Sequence, residues 1–565
     1  MRSFQPPQDA YDVCIIGSGA GGGMAAYALT QAGARVLVLE AGGPWDNTTD
    51  AAMLTWPYQT ERRGGWIPTR HFGEFDACIG GWSLEGEPYT TAPGTKFSWW
   101  RARMVGGRTN HWGRISLRFG PDDFRRGDLD GLSPNWPIGY DDIAPYYDRL
   151  DRLIGLFGSA ENIPNQPDGI FQPPPRPRAY ELLVMDACRT RQIPCVPARL
   201  SVLTRPLNGR QACHYCGQCN RGCSVHANFS STNVLLPPAA ATGNLTLVTH
   251  AMAREITTDA RGLCTGVSYI DTTTGEDRHV AARVVVVAAS ACESARLLLN
   301  STSARFPRGL ANGSGQVGRW LTDTTGTDVG GFIPRLVGRT RYNEDGVGGG
   351  HVYMPWWLDN AKLDFPRGYH IEVWGGLGQP GAGFMGGIHR YPSGGGWGQK
   401  LKEDYRRYWG TTIGFSGRGE MIPNANSYCE IDPDTKDKWG IPVLRFHWQW
   451  TDHEINQVRH MQETFRGLVE AMGGEVFSPM PSKEDGYGIA AGGTIIHELG
   501  GARMGADPAG SVLNAWGQAH EVPNLFVADG APFPSQADKN PTWTIMALAW
   551  RAADRIIELR QRREL

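Results

Sequence analysis

Four cysteines fall within eleven residues, Cys213, Cys216, Cys219 and Cys223, in the spacing C-x2-C-x2-C-x3-C. Short loops of this kind return each sulfur towards one point, as an iron–sulfur cluster requires. Four thiolates also suit a tetrahedral zinc, although a finger sets a longer spacer between its ligand pairs. Disulfides are a third reading, at odds with the chain's size and with the lack of a secretory leader pattern. Far upstream, Gly17, Gly19 and Gly22 spell G-x-G-x-x-G, and Glu40 follows. The first glycine permits a tight turn, the second lets backbone approach a pyrophosphate, and the third lets helix and strand pack closely. Glu40 stands where a carboxylate binds ribose hydroxyls. FAD and NAD share this motif. Its place near the N-terminus favours FAD, as does the run LFVADGAPFP, which delivers Asp529 and Gly530 to a turn.

The elements that must position these residues can be read from pattern. YDVCIIG, GSGAGGG and MAAYALTQAG predict strand, turn and helix, with Gly33 as the C-terminal stop, and ARVLVLEAG predicts a second buried strand. Residues 283–301 repeat the strand–turn–helix theme. The stretch 244–259 and LCTGVSYIDT read as paired strands, and 42–95 as loops. A helix is expected within 136–155, and a Pro-rich surface connection over 164–180. Residues 325–450 alternate polar and apolar positions and predict antiparallel sheet plus loops. The helix over 451–474 carries a capping box, Thr451 with Glu454, and its apolar face runs from Ile455 to Met472. NLFVADG and TIMALAWRAADRIIELR close the chain as strand and helix.

Composition removes several classes. A net charge of −2 over 565 residues offers no broad basic surface for nucleic acid. There is no run of 18 or more apolar residues to span a membrane. MRSFQPPQDAYDV lacks a leader pattern, so a cytoplasmic protein is expected, unless a signal-bearing partner subunit exports it. Glycine is abundant at 74 residues, which suits tight turns and close backbone approaches, and tryptophan at 20 supplies aromatic faces for core or sugar.

The motifs in order resemble the glucose–methanol–choline (GMC) oxidoreductase family: the N-terminal glycines with Glu40, VGGRTNHW (105–112), AASACESARLLLNS, HELGGARMG (497–505), VADGAPFP and NPTWTIMALAWRAAD (540–554). The resemblance implies an FAD enzyme that oxidises an alcohol carbon, with His497 as the active-site histidine and Asn540 as its partner. Such a pair is chemically apt, because a neutral imidazole can take the hydroxyl proton while the amide donates to the same oxygen. It further implies flavin contacts from Gly106, Gly107, Asn110, His111 and Thr542. In some sugar-oxidising members the histidine at the position of His111 is covalently bound to flavin, and both the covalent and the non-covalent contact stand as readings here.

One branch, the bacterial sugar dehydrogenases, holds a three-iron cluster on C-x5-C-x3-C. Cys213, Cys219 and Cys223 match it, with Cys216 additional, so 3Fe-4S and 4Fe-4S clusters are both expectations. The wider pattern is most similar to glycoside 3-dehydrogenases, which implies C3 oxidation of a sugar or glycoside. It also implies a small subunit and a cytochrome c or quinone electron acceptor. An oxygen-using oxidase with a structural cysteine segment is the alternative. The expected fold is α/β (α+β overall), a Rossmann-like FAD-binding domain with an antiparallel-sheet substrate domain. Its parts are 1–325, with the iron–sulfur segment at 205–230, then 326–480 for substrate, and 481–565 completing the FAD-binding domain with His497 and Asn540.

Overall fold

The computed structural model describes residues 11–51, 78–340, 346–355, 363–377, 388–392 and 394–565. The first ten residues, read above for a leader pattern, and residues 52–77 of the loop-rich stretch lie outside this range.

Strand β1 (Tyr11–Ile16) is buried at every position, as near-continuous apolar runs are in parallel sheets. Gly17, at φ +99°, turns the chain into helix α1 (Ala20–Gln31), and β2 (Val36–Leu39) returns parallel to β1 with Val36 opposite Val13. The same sheet takes β4 (Leu245–Val248) beside β2 and the second half of β7 (Asp277–Val287) beside β1, where Val284 also faces Val13. It ends with β13 (Leu525–Val527) beside β7. The parallel sheet is therefore assembled from both ends of the chain. Helix α6 (Thr542–Gln561) lies against α1, and α2 (Tyr140–Ile154) lies against α6.

The first half of β7 pairs antiparallel with β6 (Cys264–Asp271), which pairs with β5 (Ala251–Thr258). The segment 244–259, expected as one strand of a pair, is thus two strands. His250 at φ +57° breaks it, sending Leu245–Val248 into the parallel sheet and Ala251–Thr258 into the antiparallel ribbon. Helix α4 (Ala291–Asn300) follows β7 as the pattern predicted.

The second sheet is antiparallel, in the order β12 (Glu475–Val476), β8 (Asp328–Phe332), β11 (Thr412–Gly419), β10 (Tyr369–Gly375), β9 (Val352–Met354), β3 (Val196–Pro197). Helix α5 (Asp452–Ala471) starts at the expected capping box, with Glu454 Oε2 accepting from the Thr451 N–H at 2.8 Å. Its apolar face, including Val458, Met461, Phe465 and Leu468, fills a core against β8, β10 and β11. Helix α3 (Ala179–Thr190) packs into that same core through Tyr180, Val184 and Cys188. Residues 179–197, placed by sequence in the N-terminal part, therefore belong to the second sheet's layer. The apolar side of α3 finds its cover there, and Pro197 pairs with Val352. Among the segments expected as sheet and loops, Gly398–Tyr408 is instead a helix, polar over most of its length. Strand periodicity leaves the other face of β8, β10 and β11 free of α5, and that face looks into the cavity described next.

Candidate active site

A cavity of about 810 Å³ opens just past the carboxyl ends of β1 and β7, where the parallel strand order reverses. Its first wall is largely backbone. A Cβ on Gly19 would meet no protein atom within 4 Å, so this position opens into the cavity at the start of α1, as an approaching pyrophosphate needs. A Cβ on Gly22 would stand 1.9 Å from the Gly17 carbonyl oxygen, which is the close packing expected of the third glycine. Gly21, passed over in the motif, is tighter still, at 1.6 Å from the Ala528 oxygen at the end of β13. The cradle therefore fits an FAD diphosphate. Glu40 lines the cavity and accepts from the Ser18 N–H (3.1 Å), the Ser18 hydroxyl (2.6 Å) and the Gly42 N–H (2.9 Å). Burial pushes its pKa up against these bonds, and a carboxylate has lone pairs left for a ribose diol.

Asp529 and Gly530 also line the cavity. Asp529 accepts from the Ser290 N–H (3.0 Å), the Ser294 hydroxyl (2.5 Å) and the Ala531 N–H (2.8 Å), so it stitches the end of β13 to the start of α4. Burial raises its pKa to about 6. Thr542 contributes from the first turn of α6.

The loop 105–112 divides its labour. Gly107 and His111 line the cavity, whereas Gly106 and Asn110 are not among its walls. Asn110, expected as a flavin contact, spends its carboxamide on the loop itself. Its Nδ2 donates to the Val105 carbonyl (2.8 Å) and its Oδ1 accepts from Thr232 Oγ1 (2.8 Å). Trp100 Nε1–H donates to His111 Nε2 at 3.0 Å, which leaves Nδ1 as the protonated nitrogen of a neutral ring. Burial, with the Arg114 and Arg108 charges, holds that ring neutral with a pKa of about 3.

The second wall carries side chains. The backbone N–H of His497 donates to buried Asp323 Oδ1 at 3.0 Å, fixing the turn. His497 Nδ1 lies 2.8 Å from Thr324 Oγ1, which also accepts from Gln536 Nε2 at 2.6 Å. His497 Nε2 faces Asn540 Nδ2 across 3.5 Å. Burial first, then Arg418, pushes the His497 pKa down to about 3, so the imidazole is neutral at ordinary pH.

Asn540 Nδ2 also donates to Glu372 Oε1 at 3.2 Å, and Arg418 pairs with Glu372 Oε2 at 3.0 Å. Arg418 and His370 help hold Glu372 ionised against its burial, with a pKa of about 2. An ionised carboxylate only accepts hydrogen bonds, so Glu372 orients the amide and turns its other N–H towards His497. A donor and an acceptor thus converge on one gap, and a hydroxyl oxygen placed there would accept from Asn540 and give its proton to Nε2. The sequence reading missed Glu372. The alternation in YHIEVWG could have found it, because His370, Glu372 and Trp374 share one strand face and Tyr369, Ile371 and Val373 the other.

Cys213, Cys216, Cys219 and Cys223 are free thiols on one loop. The Tyr215 N–H donates to Cys213 Sγ and the Gly348 N–H to Cys219 Sγ, both at 3.3 Å. Cys219 shares the cavity wall with His111 and Arg114. The donor set suits a cluster, but among the described residues no group of three or more His, Cys, Asp or Glu is arranged to hold a metal ion.

The GMC oxidoreductase family matches residues 85–325 and 423–549, and an FAD binding domain matches 12–53. The 2-methyl-1,2-propanediol dehydrogenase of Mycolicibacterium austroafricanum is 32% identical, over 97% of this chain and 95% of its own. The fructose dehydrogenase large subunit of Gluconobacter japonicus is 27% identical over 97% of each. Pyridoxine 4-oxidase from Mesorbium loti shares the fold, with a TM-score of 0.65 at 16% identity over 96% of this chain and 99% of that one. Segments matched far apart in sequence, the glycine turn, the loop around His111 and the turn bearing His497, meet in one cavity. The chain is accordingly an FAD-dependent oxidoreductase of CH–OH groups and belongs to the GMC oxidoreductase family.

Proposed function

We propose that the chain is a dehydrogenase that oxidises a secondary hydroxyl of a sugar or glycoside, at C3, to a keto sugar. The observation that carries this reading is the convergence of His497 Nε2 and Asn540 Nδ2 on one gap beside a polar wall of Asp328, Glu372, Ser416 and Arg418. Such a wall suits a polyhydroxylated substrate better than a bare alkyl alcohol. FAD, when bound, supplies the two-electron acceptor for the hydrogen on carbon. His497 takes the hydroxyl proton at Nε2, and Asn540 holds the oxygen as C–O becomes C=O. Asp323 and Thr324 keep the ring in place, and Glu372 keeps the amide in place. Gly17, Gly19, Gly22, Glu40, Gly107 and His111 would hold the dinucleotide, with Nδ1 of His111 the candidate for a covalent link.

Electrons then leave to a cytochrome c or quinone rather than to oxygen. The cysteine loop supplies the donors for a three- or four-iron cluster, and that reading rests on the donor set and on its place beside the cavity. A small subunit that carries an export signal belongs to the same reading, in keeping with a relative that is itself a large subunit.

An anaerobic visible spectrum before and after glucose or a glucoside, with iron and acid-labile sulfide assayed, tests the proposal. Flavin bleaching with about three to four irons per chain is expected, together with turnover of dyes but not of oxygen. Flavin without iron in a protected sample, turning over oxygen, would overturn the dehydrogenase reading.

A further inference from the structure

On the cavity face of the second sheet, three strands carry two successive cross-strand rows. One row is Glu372, Ser416 and Asp328, and the row beside it is Trp374, Gly414 and Gly330. In the first row, the Ser416 hydroxyl donates to Asp328, and Arg418 donates to Ser416 Oγ at 2.9 Å. This row grips with charge. The second is flat, because its two glycines have no side chains to raise. The Trp374 indole lies down on them: a Cβ on Gly414 would stand 2.0 Å from Cζ2 of the indole, and one on Gly330 would stand 3.4 Å from Cη2. Glycine inside a strand costs stability and calls for a close approach to explain it, and here the approaching group is the indole. Yet Trp374 is 46% exposed, unusual for so large an apolar group resting on a sheet.

Trp374, Glu372, Ser416 and Arg418 line both the catalytic cavity and a second chamber of about 890 Å³ that continues from it. That chamber adds Tyr180, Tyr353 and Trp409 to its walls. Trp374 lies two residues along β10 from Glu372, the anchor of Asn540, which is about 7 Å at the usual strand rise. Trp374 thus lines the cavity that holds His497 and Asn540, at its junction with the second chamber.

We propose that Trp374, laid flat by Gly414 and Gly330, is a stacking platform for a ring attached to the reacting sugar, so that the preferred substrate is a ring-bearing glycoside rather than a free monosaccharide. The C–H face of a second sugar and the face of an aromatic aglycone both suit an indole. This inference rests on the sugar reading above.

The test compares kcat/KM for methyl glucoside, phenyl glucoside and cellobiose in the holoenzyme and in Trp374→Ala, Trp374→Phe and Gly414→Ala. Trp374→Ala should lower the value for phenyl glucoside or cellobiose about 10-fold more than the value for methyl glucoside. Which of the two ring-bearing substrates loses more identifies the natural aglycone as aromatic or sugar. Trp374→Phe should restore most of the loss. Gly414→Ala, which lifts the indole without touching substrate, should repeat the selective loss and serves if Trp374→Ala does not fold. Equal losses on all three glucosides, or none on any, would overturn the platform. If the unmodified enzyme oxidises no glucoside at all, the sugar reading itself has failed, which is a separate outcome.

Discussion

The two walls of the cavity are made of different material. The dinucleotide wall is backbone: glycines, strand ends and the start of α1, with Gly19 open and Gly21 and Gly22 pressed against carbonyl oxygens. The substrate wall is side chain: Glu372, Trp374, Ser416 and Arg418 stand out from strands whose opposite face is the core under α5. At Gly21 and Gly22 any added atom strikes main chain, so these residue types are fixed by sterics. On the second wall a side chain can be exchanged with little effect on the packing beneath it. The first wall specifies the cofactor and the second chooses what is oxidised.

His497→Ala gives the largest expected effect. Loss of the base should lower kcat by about 10²- to 10⁴-fold, while flavin content and melting temperature stay close to those of the parent. Loss of flavin together with activity would mean that the second wall also supports the first. Next comes Gly21→Val, whose Cβ would sit 1.6 Å from the Ala528 oxygen. It should cost about 3 kcal/mol or more and empty the protein of flavin, read by denaturation and the visible spectrum. A stable yellow variant would break the distinction between the walls.

Glu372→Gln sharpens the comparison from the other side. It keeps the volume but lets the amide of Asn540 turn, so kcat should fall about 10-fold with flavin retained. The smallest effect is on pH dependence. Neutral His497 is the active form, and its pKa of about 3 keeps it neutral down to strongly acid pH, so kcat/KM should show no acid limb near 6.5. Arg418 is the second cause of that depression, after burial. In Arg418→Gln the folded pKa should rise, and activity should then be lost at a higher pH as the solution is acidified. A limb that does not move would assign the depression to burial alone.

This difference in material also decides what could be read in advance. The glycine turn, β1, α1 and β2 announce themselves because backbone sterics admit few residues. The helix α5 announces itself because its capping box and one-sided apolar face are local. The break at His250 carries no such mark: a histidine at φ +57° looks like any other histidine in a strand-like run. The membership of α3 and β3 in the second sheet is a long-range fact, set by which core has room for Tyr180 and Val184. Asn110 runs the other way, since a motif position expected at the flavin spends its side chain bracing its own loop. Glu372 and Trp374 lie in a stretch whose alternation was read as sheet, but which face would meet the cavity depends on where α5 packs.

The strand β13 and the turn bearing Asn540 are among the last parts of the described chain, yet β13 lies beside β7 and closes on Gly21 of the first helix. A ribosome therefore releases the dinucleotide motif long before the partner that completes it. During synthesis the glycine turn must wait, half built, through the making of the whole second sheet. A chain cut short before β13 would leave Gly21 without the Ala528 carbonyl it packs against and the cavity without Asp529.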